Sequence, residues 1–270
     1  MGFVPTMGAL HPGHISLVKH AKQENDVVAS SIFVNPTQFS AGEDLDKYPR
    51  TFDADLAMLT EVGTDMVFAP LSSEIYPARE RLCHVEPAAF GLIYEGQARP
   101  DFFRGVATIV TKLFNIVQPT NAYFGQKDIS QCILISRMVA DLNIPVTIRV
   151  CETMREADGL AMSSRNTYLT EDERPTASIL YKALMAGKNT CTSRAVSREA
   201  IIQAVTDVLK TQPAVSRIEY ISVASHETMC ELDTVTSTPG AVLSSAIRLG
   251  SVRLIDNVLV GQAEADILGR

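Results

Sequence analysis

Between Phe3 and Val150 the chain alternates short apolar runs with stretches of helical period. Val27 to Val34 is the clearest run, nearly continuous and rich in valine and isoleucine, the composition of a strand buried on both faces of a parallel sheet. It stops at Asn35-Pro36. Phe3-Val4, Met66–Ala69, Ala122–Phe124 and Val146–Val150 read as further strands. Between them, Phe52, Leu56, Leu59 and Val62 mark one helix, Val106, Ile109, Val110, Leu113 and Val117 a second, and Ile129 to Leu142 a third. Strands that alternate with helices predict an α/β fold, a Rossmann-like parallel sheet with helices on both faces. From Pro70 to Gly105 prolines break the periodicity, and one short helix near Ala88 is expected there.

The first strand leads into a turn dense in small and polar residues. Pro5-Thr6 is expected to end the ladder, Gly8, Pro12 and Gly13 to turn the chain, and a helix with Ile15, Leu17, Val18 and Ala21 on its buried stripe to begin near His14. The first N–H groups of a helix lack internal partners and its dipole is positive there, so this arrangement suits a phosphate. Gly13 presents no side chain to an approaching ligand. His11 and His14 stand three apart, close enough to address one phosphate chain, and an imidazole can donate a hydrogen bond or a proton to an oxygen gaining charge. The ordinary alternative is that such histidines cap the helix or face water.

A formal charge of −7, from 24 basic and 31 acidic residues, argues against nucleic acid or a membrane surface as partner, so any bound anion needs a local basic pocket. Five cysteines, odd in number and without CxxC spacing, suggest neither a disulfide framework nor a zinc site and fit reduced thiols in a cytoplasm. No secretory leader and no run of about 18 apolar residues is visible, so a soluble cytoplasmic protein is expected.

After Cys151 a charged connector with a glycine, Glu152 to Gly159, marks a boundary. Residues 1–153 are expected to form the sheet domain that binds substrates and 154–270 a smaller α+β domain that covers the site. In that second part Thr170 to Glu173 has capping-box spacing, Ser197 precedes a helix buried through Ile201, Ile202, Val205, Val208 and Leu209, and strands are expected at Ile218–Ala224, Ala241–Arg248 and near Val252–Leu259, the last two turning at Leu249-Gly250. No dense polar constellation is expected there.

In open α/β sheets, ligands sit beyond the carboxyl ends of the strands. That rule singles out Gln38 in the polar loop after the second strand and Gly125-Gln126-Lys127-Asp128 after a later one; Gln131 lies in the first turn of the helix that follows. Arg99 and Arg104 flank Phe102-Phe103, and Ser163-Ser164-Arg165 could make several phosphate contacts. For Lys127 and the arginines an exposed charge is the ordinary alternative, and for Ser163 to Arg165 a plain polar turn. Neither GxGxxG after the first strand nor GxxxxGKS/T is present, which weighs against dinucleotide oxidoreductases and P-loop NTPases.

Pro5 to His14 reads Pro-Thr-Met-Gly-Ala-Leu-His-Pro-Gly-His, and it is followed in order by Ser31–Phe39, Tyr48–Thr51, Phe103–Val106, Phe124–Asp128 and Met162–Asn166. This set resembles the pantothenate synthetase (pantoate:beta-alanine ligase) family of the HxGH nucleotidyltransferase superfamily over nearly the whole chain. The resemblance implies ATP-dependent condensation of (R)-pantoate with β-alanine to pantothenate through a pantoyl-adenylate, with AMP and diphosphate released. It implies catalytic roles for His14, His11, Lys127 and Arg165. ATP would meet Met7, Gly8, Ala9, Leu10, His11, Pro12, Gly13, His14, Gly125, Gln126, Lys127, Asp128, Met154, Met162, Ser163, Ser164 and Arg165, the Met162 to Arg165 segment standing for the superfamily's "KMSKS" loop. Gln38 and Gln131 would bind the small substrates. Mg2+ would ride on the ATP phosphates with no protein ligand assigned, and a homodimer is implied.

The family carries a helix and a fuller first strand ahead of its signature, so here the first strand is expected to pair while leaving part of the sheet uncovered. Two other readings remain open: a nucleotidyltransferase that moves AMP to a phosphate acceptor and stops, and a catalytically dead adenylate-binding module. A phosphate acceptor would want a basic residue where Gln38 and Gln131 stand, and joint retention of His11, His14, Lys127 and Arg165 weighs against a dead module.

Overall fold

Five strands build the sheet that the alternating pattern predicts. In the computed structural model, which describes residues 1–40, 42–77, 82–191 and 194–269, they run β1 (Gly2–Thr6), β2 (Val28–Ile32), β3 (Met66–Phe68), β4 (Asn121–Gly125) and β5 (Thr147–Cys151). Their order across the sheet is β3-β2-β1-β4-β5, all neighbours parallel. The helices are α1 (Pro12–Glu24), α2 (Phe52–Glu61), α3 (Ser72–Ile75), α4 (Tyr94–Ala98), α5 (Phe102–Val117) and α6 (Ile129–Asp141). The chain divides into two units, Met1–Gly125 with Leu134–Cys151, and Gln126–Ile133 with Glu152–Arg270.

Pro5 does not end the first strand, as its residue type suggested, but lies inside the middle strand of the sheet. Alternate residues of a strand turn their N–H groups to opposite neighbours. Gly2 donates to Val27 O, so Phe3 and Pro5 turn their nitrogens toward β4, where pairing runs only through Gly2 and Phe3. The missing N–H of Pro5 therefore costs no ladder bond. β2 also departs from a plain apolar strand: Ser30 and Ser31 are fully buried, Ser30 Oγ donates to Val4 O at 2.9 Å, and Thr6 Oγ1 donates to Ser31 O at 2.6 Å.

Leu17, Val18 and Ala21 of α1 pack with Val4, Val28, Leu59 and Tyr123. Phe52 and Leu56 do not join them as the stripe predicted, being exposed, because α2 turns Asp55 and Leu59 inward. Among the described residues between Pro70 and Asp101, α3 and α4 form besides the expected short helical piece near Ala88, which is a 3-10 turn at Ala88–Gly91. A Cβ on Gly105 of α5 would lie 2.3 Å from Thr37 O, so this helix meets the turn after β2 backbone to backbone.

In the second unit an antiparallel sheet of order β10-β9-β7 packs against two helices. Its elements are α7 (Ile179–Thr190), β6 (Val196–Ser197), α8 (Arg198–Leu209), β7 (Val215–Ala224), β8 (Thr234–Val235), β9 (Ala241–Leu249), β10 (Val252–Val260) and α9 (Ala263–Leu268). Leu184, Ile201, Val205, Leu209, Leu243 and Ile247 form the fully buried centre. Gly187 lets α7 close on α8 and β9, since a Cβ there would come within 2.6 Å of Val205 and 2.8 Å of Leu243. The hairpin turns at Gly250, φ +56°, with Leu249 paired to Val252. Thr170 and Glu173 exchange the reciprocal capping-box bonds, but a 3-10 turn at Arg174–Thr176 follows, and α7 begins only at Ile179. Among the described residues no helix is long and apolar enough to cross a membrane.

Candidate active site

β1 ends at Thr6 and β4 at Gly125, neighbouring strands on either side of the point where the strand order reverses. This is where open α/β sheets bind ligands. Beyond β1 the chain runs through two left-handed residues, Gly8 (φ +80°) and Ala9 (φ +49°), and the N–H groups of Gly8, Ala9 and Leu10 find internal acceptors. Gly8 N donates to Thr6 Oγ1 at 3.2 Å, while Ala9 N and Leu10 N donate to the two carboxylate oxygens of Asp55 at 2.9 and 2.8 Å. Thr51 Oγ1 donates to the same carboxylate at 3.1 Å. Asp55 is 1% exposed and belongs to α2.

His11 is the N-cap of α1, which begins at Pro12, two residues earlier than the apolar stripe predicts. Gly13 N donates to His11 Nδ1 at 3.1 Å, and His11 N donates to His14 Nδ1 at 3.3 Å. The two rings lie 4.0 Å apart, centroid to centroid. A ring nitrogen that accepts carries no proton, so this network assigns the proton of each neutral imidazole to Nε2. The expectation of bare helix N–H groups is therefore corrected. The N–H groups of Gly8, Ala9, Leu10, His11, Gly13 and His14 are engaged within the turn and the start of α1.

Gln38 closes a 3-10 turn after β2 and is 8% exposed. Its Nε2 donates to Met7 Sδ at 2.9 Å and its Oε1 accepts Asn35 Nδ2 at 3.0 Å. Asn35, almost fully buried, also donates to Gly105 O at 3.2 Å and accepts the Tyr76 hydroxyl at 2.9 Å. Gln38 is thus brought to Met7 by a fixed asparagine, with an amide hydrogen and a carbonyl lone pair beyond those two contacts. Arg99 is structural: it makes two 2.8 Å bonds to Glu43 and lies over the Phe102 ring at 3.8 Å. Arg104 pairs with Asp101 at 2.7 Å.

Gly125 ends β4 in the first unit, and the second unit holds Gln126, Lys127, Asp128, Gln131, Met154 and the Met162 to Arg165 segment. Gln126, Lys127 and Asp128 form a 3-10 turn ahead of α6, with Lys127 Nζ 3.6 Å from Asp128 and Gln131 half-buried in the first turn of α6. Met162 N donates to Met154 O at 2.9 Å, next to a bridge between Arg155 and Ala161, so Met154 and Met162 are backbone neighbours across a hairpin that turns at Gly159. Ser163 caps the following 3-10 turn, accepting Arg165 N at 3.3 Å, and Ser163, Ser164 and Arg165 are half-buried.

Contrary to expectation, this unit has a buried polar cluster. Asp256 and Asn257 interrupt the apolar β10, and Arg155 donates to Asp256 at 2.6 and 3.0 Å. Burial pushes the Asp256 carboxyl up, against the pull of Arg155. Two sequence signals point to residues that the motif reading passed over. Asp55 stands four before buried Leu59, on the inward side of its helix, and Asp256-Asn257 is a polar pair in an apolar run.

The pantoate-beta-alanine ligase family model matches residues 1–259. The chain is 51% identical to the pantothenate synthetase of Chloroflexus aggregans over 96% of its own length and 93% of the relative's. It superposes on the pantothenate synthetase of Thermus thermophilus with a TM-score of 0.88 at 43% identity, covering 96% of this chain and 93% of that one. The pantoate-beta-alanine ligase of Francisella tularensis, solved with β-γ ATP and β-alanine, matches with a TM-score of 0.77 at 38% identity over 96% of this chain and 88% of that one. With a family model matching almost end to end and relatives near half-identity over the same span, this chain belongs to the pantoate-beta-alanine ligase family.

Proposed function

We propose that the chain joins (R)-pantoate to β-alanine at the expense of ATP, giving pantothenate, AMP and diphosphate through a pantoyl-adenylate. A carboxylate oxygen of pantoate attacks the α-phosphorus, and the bond to the β,γ-diphosphate breaks with its electron pair leaving on diphosphate. The β-alanine nitrogen then attacks the acyl carbon, the bond to AMP breaks, and the amine gives up a proton. An amine cannot expel oxide from a carboxylate at neutral pH, so the mixed anhydride must come first.

The observation that supports this reading is the histidine pair at a helix start, His11 and His14 each accepting a backbone N–H at Nδ1, in a chain of this family. They steady charge that develops on phosphate oxygens in the transition state. Lys127, with Ser163, Ser164 and Arg165, holds phosphates. Met7, Gly8, Ala9, Leu10, Pro12, Gly13, Gly125, Gln126, Asp128, Met154 and Met162 contact the nucleotide, while Gln38 and Gln131 hydrogen-bond the small substrates. Mg2+ belongs here as the counter-ion of ATP and neutralises phosphate charge.

The division of labour between residues 1–153 and 154–270, a cytoplasmic location and a homodimer belong to the same proposal. Sedimentation at micromolar concentration tests the dimer, and a monomer alone would overturn it. The reaction is tested by exchange of labelled diphosphate into ATP with pantoate and Mg2+ but no β-alanine. Exchange is expected; a strict requirement for β-alanine would exclude the two-step order.

A further inference from the structure

Lys127 lies in a three-residue turn, too short to orient a side chain by itself. Its backbone is held from β10. Asn257 Nδ2 donates to both Gln126 O and Lys127 O, at 2.9 and 3.0 Å, and Asn257 Oδ1 accepts Gln126 Nε2 at 3.0 Å. Asn257 is 1% exposed, and its own N–H donates to Asp256 at 2.8 Å. Asp256, 4% exposed, takes both guanidinium nitrogens of Arg155, which lies over the Tyr181 ring at 3.8 Å and donates to Gly159 O at 3.1 Å. A buried ion pair adds little net stability over a packed apolar pair, so its contribution here is one of geometry.

We infer that Asn257, held by Asp256 and Arg155, is the positioning residue for Lys127, and that Arg155 fixes from the same carboxylate the hairpin that presents Met162 to Arg165. One buried carboxyl group thereby sets two phosphate-holding segments. This rests on the proposed role of Lys127 in adenylate formation.

The test is Asn257→Asp, which keeps side-chain size, removes both donors and sets a carboxylate against two carbonyls. Diphosphate exchange is measured in the parent protein, Asn257→Asp, Lys127→Ala and the double variant, each with its melting temperature. Expected is a loss of turnover on the order of a hundredfold in Asn257→Asp, the scale of misplacing a group by about 1 Å, with the pantoate KM little changed. In the Lys127→Ala background the same substitution should cost almost nothing more, because a residue that acts through Lys127 has nothing left to position. Near-parental exchange in Asn257→Asp, or a full additional loss in the double variant, overturns the inference. If Asn257→Asp does not fold, Asn257→Ser carries the same comparison with the same two outcomes. No exchange in the parent protein would overturn the adenylate reading as well, whereas an active variant overturns only the inference.

Discussion

His14 Nδ1 accepts the N–H of His11 at 3.3 Å, while His11 Nδ1 accepts the N–H of Gly13 at 3.1 Å. Each imidazole thus caps the helix start through Nδ1, which places the proton of a neutral ring on Nε2, the tautomer that the proposed donor role requires. A proton on either Nδ1 would set an N–H against a backbone N–H.

The two tasks separate by mutation at His11. Asparagine caps well but has no Nε2–H to present. His11→Asn should therefore hold stability within about 1 kcal/mol of the parent while exchange falls on the order of a hundredfold. His11→Ala should lose the cap too. Thermal melts and exchange rates check both, and parental turnover in His11→Asn would remove His11 from the chemistry.

Asp55 sets the conformation of the Gly8 to Leu10 turn through two backbone N–H groups. Asp55→Ala strands both, at a cost of about 1–3 kcal/mol for each buried unsatisfied group. Asp55→Asn retains an acceptor for one N–H and turns a donor toward the other. Denaturant unfolding should rank the parent above Asp55→Asn and Asp55→Ala, and amide exchange should show Ala9 and Leu10 losing protection in both variants.

Glu219 predicts a pH dependence. Arg248 of β9 and Arg253 of β10 are directly opposed, and Glu219 of β7 accepts from both, at 2.8 and 2.7 Å. Burial alone would raise the Glu219 carboxyl, but the hydrogen bonds from Arg253 and Arg248 bring it below the ordinary glutamate value. The folded carboxyl is thus the stronger acid, so its stabilisation is present above the unfolded pKa of about 4.3 and fades as pH falls through the folded value. Glu219→Gln should lower stability at pH 7 by about 1–3 kcal/mol. It should also flatten the pH dependence of stability below about pH 5, the range in which a carboxylate of this kind begins to titrate. Urea midpoints across that range measure both.

The thiols should sort by burial. Burial, with the negative charge of Glu24 behind it, pushes Cys151 up to about 11, and Cys132 is buried as well. Cys83 and Cys230 are exposed. At about pH 8, near the ordinary thiol pKa, a disulfide reagent should titrate Cys83 and Cys230 promptly and reach Cys132 and Cys151 only after denaturant. Prompt modification of Cys151, located by mass spectrometry, would contradict its place in the core.

The alternation of Val28–Ile32 and its sister strands with amphipathic segments was sufficient for a parallel α/β sheet, because burial on two faces and on one face leave different periods in a sequence. The string from Pro5 to His14 was likewise legible, since glycines and histidines have few uses at a strand-to-helix turn. What no local pattern contained was the set of partners. That Asp55, over forty residues from Leu10, occupies the turn's N–H groups depends on α2 packing with α1. That Pro5 is harmless in a middle strand depends on where β4 stops pairing. That Asn257 holds the backbone of Lys127, 130 positions away, depends on the register of β10. Periodicity records which side of an element is buried, because each residue carries its own hydrophobicity. A hydrogen-bond partner is a property of two chain segments at once, and only the folded chain brings them to within 3 Å.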